Sequence, residues 1–280
     1  MGAQKIGLIA GPVVAGLMLL LGPPDGLDPA AWGTAALMVL MATWWATEAI
    51  PIPATSLLPL VVLPLIEAGT PRQVGADYAH YIVLLLLGGF IIAMGIERWD
   101  LHKRIALNVI ARVGAAPKAL IFGFMLATAM LSMWISNSAT TLMMMPIALS
   151  AAHALGDKSG KFSAALLLGI CYSASIGGVA TPIGTPTNLI AINWLQVEMG
   201  ASIGFPQWMA FGIPAAAVMI PIAWWAVTRG LPQLEGGHAV VQRVREQLRT
   251  LGRMTQPEFR AALVFGVVAL LWVSRLWTVD

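Results

Sequence analysis

Two clusters of uncharged polar residues stand inside the longest charge-free stretches of this 280-residue chain. The first, within residues 119–156, is Ser136-Asn137-Ser138, followed by Ala139, Thr140 and Thr141. The second, within 162–197, is Gly177-Gly178 and then Thr181-Pro182-Ile183-Gly184-Thr185-Pro186-Thr187-Asn188. Hydroxyls and carboxamides both donate and accept hydrogen bonds. A broken helix adds free N–H groups at one half-helix start, which attract anions, and free carbonyls at the other end, which attract cations. A hard monovalent cation such as Na+ can take carbonyl, hydroxyl and amide oxygens there, and a carboxylate or sulfate can take the neighbouring amide donors. Such a paired site needs no charged side chain.

The solvent around these clusters follows from composition. Hydrophobic residues make up 58% of the chain, charged residues 10%, and mean hydropathy is +0.80. An average soluble domain is about 25% charged, and a chain this long buries only about three-quarters of its surface. A soluble enzyme and a disordered tail are both excluded, and the chain reads as an integral membrane protein. The net charge of +3 comes from basic residues scattered between apolar blocks, so no nucleic-acid partner is expected. Cys171, the single cysteine, can form neither an internal disulfide nor a cysteine-rich metal site, and its apolar run predicts a buried thiol.

A spanning helix needs about 20 mostly apolar residues. Blocks 6–24, 29–47, 49–66 and 78–96 each fit one span, 199–228 holds another, and 261–274 forms the core of a last one. Most tryptophans, Trp32, Trp44, Trp45, Trp99, Trp224, Trp225, Trp272 and Trp277, fall near block ends, as an interfacial belt does. Blocks 119–156 and 162–197 are too long for one simple span. In lipid, irregular backbone survives only where it is buried in protein or lines a cavity. Residues 119–156 therefore predict a helical hairpin that turns inside the membrane at Ser136-Asn137-Ser138. Pro182 and Pro186 each remove a backbone donor and disfavour helix just before them. The helix from about 162 should stop near 180 and resume near 188, as a discontinuous span. With the N-terminus inside, every basic residue except Arg72 and Arg275 falls on the cytoplasmic side, provided the hairpin leaves and re-enters on one side. The first block lacks a small-residue cleavage site and reads as an uncleaved helix.

Two connectors look amphipathic. Residues 238–253 place Val240, Val241, Val244, Leu248 and Leu251 on one helical face and arginines on the other, and 98–113 mix Arg98, His102, Lys103, Arg104 and Arg112 with Ile105, Leu107, Val109 and Ile110. Both predict helices lying along the cytoplasmic interface.

Small polar residues also glue membrane helices together, and one break alone would be as well explained by packing. Two breaks in adjacent over-long segments favour a binding site. Neither 119–156 nor 162–197 contains Asp, Glu, Lys or Arg. Proton-driven carriers usually show an intramembrane carboxylate or histidine relay. Glu48 and Glu97 end their blocks and read as interfacial, and His153 as structural. Coupling to Na+, or exchange of a second anion, is favoured over proton coupling.

The stretch Leu131-Ser132-Met133-Trp134-Ile135-Ser136-Asn137-Ser138-Ala139-Thr140 resembles the first Ser-Asn-Thr hairpin signature of the divalent anion/sodium symporter family, which carries dicarboxylates, citrate or sulfate. Residues 171–188, CYSASIGGVATPIGTPTN, are similar to that family's broken fifth helix, and GGFIIAMGIERWDLHKRIAL matches its pattern. The resemblance implies an all-α membrane fold: about seven transmembrane helices, a re-entrant hairpin and one broken helix, forming one half of an inverted-repeat elevator-type homodimer. It implies scaffold helices over 1–97 and an interfacial helix over 98–117. The transport domain would take in the hairpin at 118–156, the broken helix at 162–199 and a helix at 206–228. A cytoplasmic connector at 229–257 and a final scaffold helix at 258–280 would follow. Ser132, Ser136, Asn137 and the Gly184 carbonyl would hold Na+. Asn137 and Ser138 would touch the substrate carboxylate, and Thr185, Pro186 and Asn188 would shape the same half-site.

Ser138 departs from the family's Thr by one methyl group, which keeps the hydroxyl and alters substrate fit. No second Ser-Asn-Thr and no second Gly/Thr/Pro break occurs in the chain, so it looks like the N-terminal half of a carrier. The expected activity is Na+-coupled transport of a small divalent anion across a bacterial cell membrane. Alternatives are a Na+-independent exchanger of the same fold, a passive anion channel, and a non-transporting half-carrier. No His-Glu zinc pair, intramembrane aspartate pair or Gly-x-Ser-x-Gly elbow supports an enzyme.

Overall fold

The computed structural model describes residues 2–157, 159–232 and 237–274. Lys158, Arg275, Trp277 and the end of the expected last scaffold segment lie outside them. Among the described residues all regular structure is helical. Six helices among the described residues are long and apolar enough to cross a membrane, and the protein is a multi-pass membrane protein.

By contact density the chain forms two compact units, 1–84 and 85–280. The first holds α1 (Ala3–Leu21), α2 (Pro29–Thr47), α3 (Ile52–Ser56), α4 (Leu58–Leu65) and α5 (Pro71–Tyr78). α1 and α2 pack closely at glycine: a Cβ at Gly7 would stand 1.9 Å from Thr47 Oγ1. The block 49–66, expected as one span, is instead two helices of 5 and 8 residues. Pro51, Pro53, Pro59 and Pro64 punctuate it, and each proline lacks the N–H that an uninterrupted ladder needs.

α6 (Tyr81–Arg98) leads into the second unit. There follow α7 (Leu101–Val113), α8 (Pro117–Ser132), α9 (Asn137–Leu155), α10 (Lys161–Val179), α11 (Pro186–Met199), α12 (Phe205–Thr228), α13 (Gly237–Thr250) and α14 (Gln256–Ser274). α8 has 16 residues and rises about 24 Å, short of a hydrocarbon core of about 30 Å. It packs along α10 through small residues. A Cβ at Gly169 would stand 3.0 Å from Met125 Cγ, and one at Gly177 2.4 Å from the Ala129 carbonyl oxygen. These pairings make α8 and α10 parallel, with both C-termini at one end. α12 runs the other way: Trp208 Nε1 donates to Val179 O at 2.9 Å, and Trp224 Nε1 to Lys118 O at 2.8 Å. The basic ends of α8, α10 and α12 therefore gather at one pole, as the charge pattern required.

The loop into α10 is capped by Asp157, whose carboxylate accepts from the amides of Phe162 at 2.8 Å and Ser163 at 3.2 Å. The Ser159 hydroxyl and these amides hold its carboxyl below the usual carboxylate range.

The two amphipathic connectors are helices, α7 and α13. Val240, Val241 and Val244 are buried, covered by α7 and α9. Protein, not the lipid interface, meets that apolar face. Cys171, expected to be buried, is exposed. It shares an outward stripe of α10 with Tyr172, Ser175 and Val179, because the small residues Gly169, Ser173 and Gly177 take the face against α8. Trp32 and Trp224 donate to backbone carbonyls and Trp272 stacks on Phe205, so these belt tryptophans also serve as packing.

One ion pair ties distant segments together. Arg104 on α7 makes two hydrogen bonds to Glu258 at the start of α14, the Nη2–Oε2 contact being 3.0 Å, and Nη1 donates to Gly252 O at 3.0 Å. Glu258 is 4% exposed. Breaking a buried pair from one side costs about 3 kcal/mol. Glu258→Gln is therefore expected to lower the thermal unfolding temperature, which intrinsic fluorescence in detergent will read. An unchanged midpoint would show the pair to be solvated.

Candidate ion and anion site

Both polar clusters are helix breaks. α8 ends at Ser132, a turn runs through Met133–Ser136, and α9 opens at Asn137. Ser136 is the N-cap, its hydroxyl accepting from Ala139 N at 3.3 Å and its carbonyl from Thr140 N at 2.9 Å. The turn thus lies slightly before the expected tip, and Asn137 and Ser138 form the first turn of α9. α10 stops at Val179, and α11 resumes at Pro186, two residues earlier than expected, because proline is at home in a helix's first turn.

Gly178 joins the two breaks. A Cβ there would stand 2.3 Å from Asn137 Oδ1, so only glycine lets the Asn137 carboxamide lie on the end of α10. Gly184 lies on the same residue, its own Cβ position being 2.5 Å from Gly178 O. Asn188, buried on α11, spends its Nδ2 hydrogens on Gly178 O and Thr181 O, each at 2.7 Å. The two N-termini, of α9 and α11, therefore meet at Gly178. The amides of Asn137, Ser138 and Thr187 open these helices and have no partner within them.

Ser132 supplies the oxygen beneath Asn137. Its hydroxyl, fully buried, lies 2.7 Å from Asn137 Oδ1 and 2.7 Å from the Ala174 carbonyl. One proton serves two acceptors. When it turns to Ala174, the Ser132 lone pair and Asn137 Oδ1 face each other as an oxygen pair able to hold a small cation. Among the described residues no cluster of three or more His, Cys, Asp or Glu could hold a metal ion. Neutral oxygens are what the site offers.

The structure brings Ser132, Asn137, Gly184 and Asn188 together and puts Ser136 at the cap. Ser138 and Pro186 are exposed and Thr185 half-buried at the helix openings, and the Ser138 and Thr185 side chains make no hydrogen bond among the described residues. Thr181 was not anticipated as a positioning group: its hydroxyl donates to Met133 O in the hairpin turn and accepts from Gly184 N at 3.1 Å. It latches one break to the other. Its only signal in the sequence is the doubled Thr-Pro of Thr181-Pro182 and Thr185-Pro186. Trp134 in the turn stacks on Phe205 at 6.4 Å and meets Phe265 edge-on at 5.1 Å, which braces the hairpin against α12 and α14.

A hairpin whose first arm is too short to cross the bilayer, packed against a broken helix around uncharged polar groups, is the arrangement these segments form in this multi-pass membrane protein. Residues 42–280 match the citrate transporter family model, CitMHS. The sodium-dependent dicarboxylate transporters SdcS of Staphylococcus aureus strains USA300 and NCTC 8325 / PS 47 are each 41% identical over 286 aligned positions, covering 97% of this chain and 54% of the relative. The chain belongs to this citrate transporter family, within the divalent anion/sodium symporters that its two motifs resemble. It spans about half the length of the curated relatives it matches. These relatives are transporters, in line with the expectation that the chain is not an enzyme.

Proposed function

We propose that the chain supplies one half-site of a secondary active transporter that carries a divalent anion, a C4-dicarboxylate, citrate or sulfate, together with Na+. The observation that carries this reading is the convergence of two helix breaks on Gly178, with Ser132 and Asn137 as adjoining neutral oxygens. The sodium dependence and dicarboxylate substrate of the SdcS relatives support the same reading.

In this mechanism Na+ is co-substrate. It binds between Ser132 Oγ, Asn137 Oδ1, the Ser136 hydroxyl and the Gly184 carbonyl, while the Ser132 proton rests on Ala174 O. That arrangement turns the Asn137 amide nitrogen outward. The substrate carboxylate then takes donors from Asn137 and Ser138, backed by the positive end of the α9 dipole. Thr185 and Pro186 form the opposite rim. Asn188 and Thr181 hold the two breaks in register and touch neither ion. Cation and anion neutralise each other at close range, which lowers the cost of taking either out of water. Cation-first binding follows, because the empty site keeps Asn137 Oδ1 bonded to Ser132.

We further assign the carrier to the bacterial cell membrane as a homodimer with its N-terminus cytoplasmic, the orientation that the basic pole of α8, α10 and α12 supports. In the whole protein, reconstituted in proteoliposomes, Asn137→Ala is expected to abolish Na+-dependent succinate uptake. Wild-type uptake indifferent to a Na+ gradient would overturn the coupling, counter-flow without Na+ would reveal an exchanger, and linear flux without saturation a channel.

A further inference from the structure

A second feature lies at the basic pole, away from the helix breaks. The last turns of α6 and the first turns of α14 enclose a groove of about 560 Å³. Its walls are apolar, with Ile91, Ile92 and Val264 among them, and Arg260 and Trp99 stand among its lining residues. An adjoining hollow shares Trp99 and adds Arg98, whose guanidinium lies 5.8 Å from the centre of the Trp99 ring. Arg98, Trp99 and Arg260 are all exposed.

The charge balance around this mouth is uneven. Glu258 is committed to Arg104 and Asp100 to Lys103, the latter at 2.9 Å. Glu97 is not among the groove-lining residues, which follow the 91, 92, 95, 99 face of α6. Arg98 and Arg260 have no ion-pair partner among the described residues. Two unspent guanidinium groups beside an interfacial tryptophan thus cap an apolar channel that runs along two membrane helices.

We infer that this groove holds one anionic phospholipid, its phosphodiester between Arg98 and Arg260 and one acyl chain along Ile91, Ile92 and Val264. Charge complementarity chooses the headgroup: guanidinium pairs with phosphate bidentately and stays charged at every relevant pH. The apolar walls choose a lipid over a free anion. Trp99 marks the headgroup depth. The Arg104–Glu258 and Lys103–Asp100 pairs matter here too, since they occupy the two carboxylates that line the adjoining hollow.

Native mass spectrometry of the whole, delipidated protein, titrated with phosphatidylglycerol and with phosphatidylcholine of the same acyl chains, tests the site. The wild type is expected to retain one phosphatidylglycerol in preference to phosphatidylcholine. Arg98→Gln with Arg260→Gln should weaken phosphatidylglycerol about thirtyfold and leave phosphatidylcholine unchanged. A Cβ at Gly95 meets nothing within 4 Å, so Gly95→Leu fills the groove without disturbing the fold and should weaken both lipids. Arg245→Gln with Arg249→Gln removes equal charge from exposed positions of α13 and should leave the retained lipid in place. Equal retention of the two lipids by the wild type, equal loss in the α13 variant, or no retained lipid because another part of the protein covers the groove would each overturn the inference.

Discussion

Gly178→Ala is expected to lower Na+-dependent dicarboxylate uptake about a hundredfold while the protein still folds. Gly178 is helical, so alanine suits its backbone. The added Cβ would stand 2.3 Å from Asn137 Oδ1 and 3.0 Å from its Nδ2, so the nearest group that must move is that carboxamide, the far end of a side chain. Asn137 is held by the Ser132 hydroxyl, so its displacement separates the two oxygens proposed to hold Na+. A misplacement of about 1 Å at a preorganised site costs about a hundredfold. Gly177→Ala makes the contrast: its Cβ would meet the Ala129 backbone 2.4 Å away and would push α8 off α10. That variant should lose thermal stability, whereas Gly178→Ala should keep its unfolding midpoint and lose transport. Uptake by Gly178→Ala at wild-type rate would show that the carboxamide is not part of the site.

The second large effect is expected at Asn188. Its amide hydrogens satisfy the carbonyls of Gly178 and Thr181, each at 2.7 Å, where α10 ends; Thr181 O also accepts from Gly184 N at 3.3 Å. Asn188→Leu is close in volume and removes both bonds. The Gly178 carbonyl is stranded, while Thr181 O keeps Gly184 N; one unsatisfied buried carbonyl costs about 1–3 kcal/mol, so a fall of roughly 4 °C or more in the unfolding midpoint is expected. Transport should fall with it, because Gly178 carries Asn137 on its other side. Asn188→Asp distinguishes positioning from anion binding. A carboxylate facing two carbonyls is repelled by them, so the midpoint should fall as in Asn188→Leu. An Asn188→Asp variant with normal stability but no substrate binding would instead place Asn188 in contact with the anion.

The two breaks were legible because the residues that cause them act locally. Pro182 and Pro186 each remove a ladder donor within five residues of one another, with Gly184 between them, and Ser136 caps a helix through its own near neighbours. The lengths of the charge-free runs pointed to a helix–turn–helix at 119–156, and the chain there forms two helices, α8 of 16 residues and α9 of 19. Where a local rule was overlooked the expectation failed: four prolines in 49–66 leave two short helices where one span was expected. The amphipathic stripe of 238–253 predicted a helix correctly but not what covers its apolar face, since valines against protein and valines against lipid have the same spacing.

Chain composition and local stereochemistry thus dictated the solvent, the helix ends and the neutral character of the site. Which of the polar groups face one another across the two breaks was decided by packing. Gly178 against Asn137, Thr181 on the Met133 carbonyl, and Arg104 on Glu258, 154 positions away, are pairings between segments that sequence spacing does not encode. They exist because close helix approach at small residues brings particular atoms within hydrogen-bond range, and that approach is a property of the folded pair, not of either strand of sequence alone.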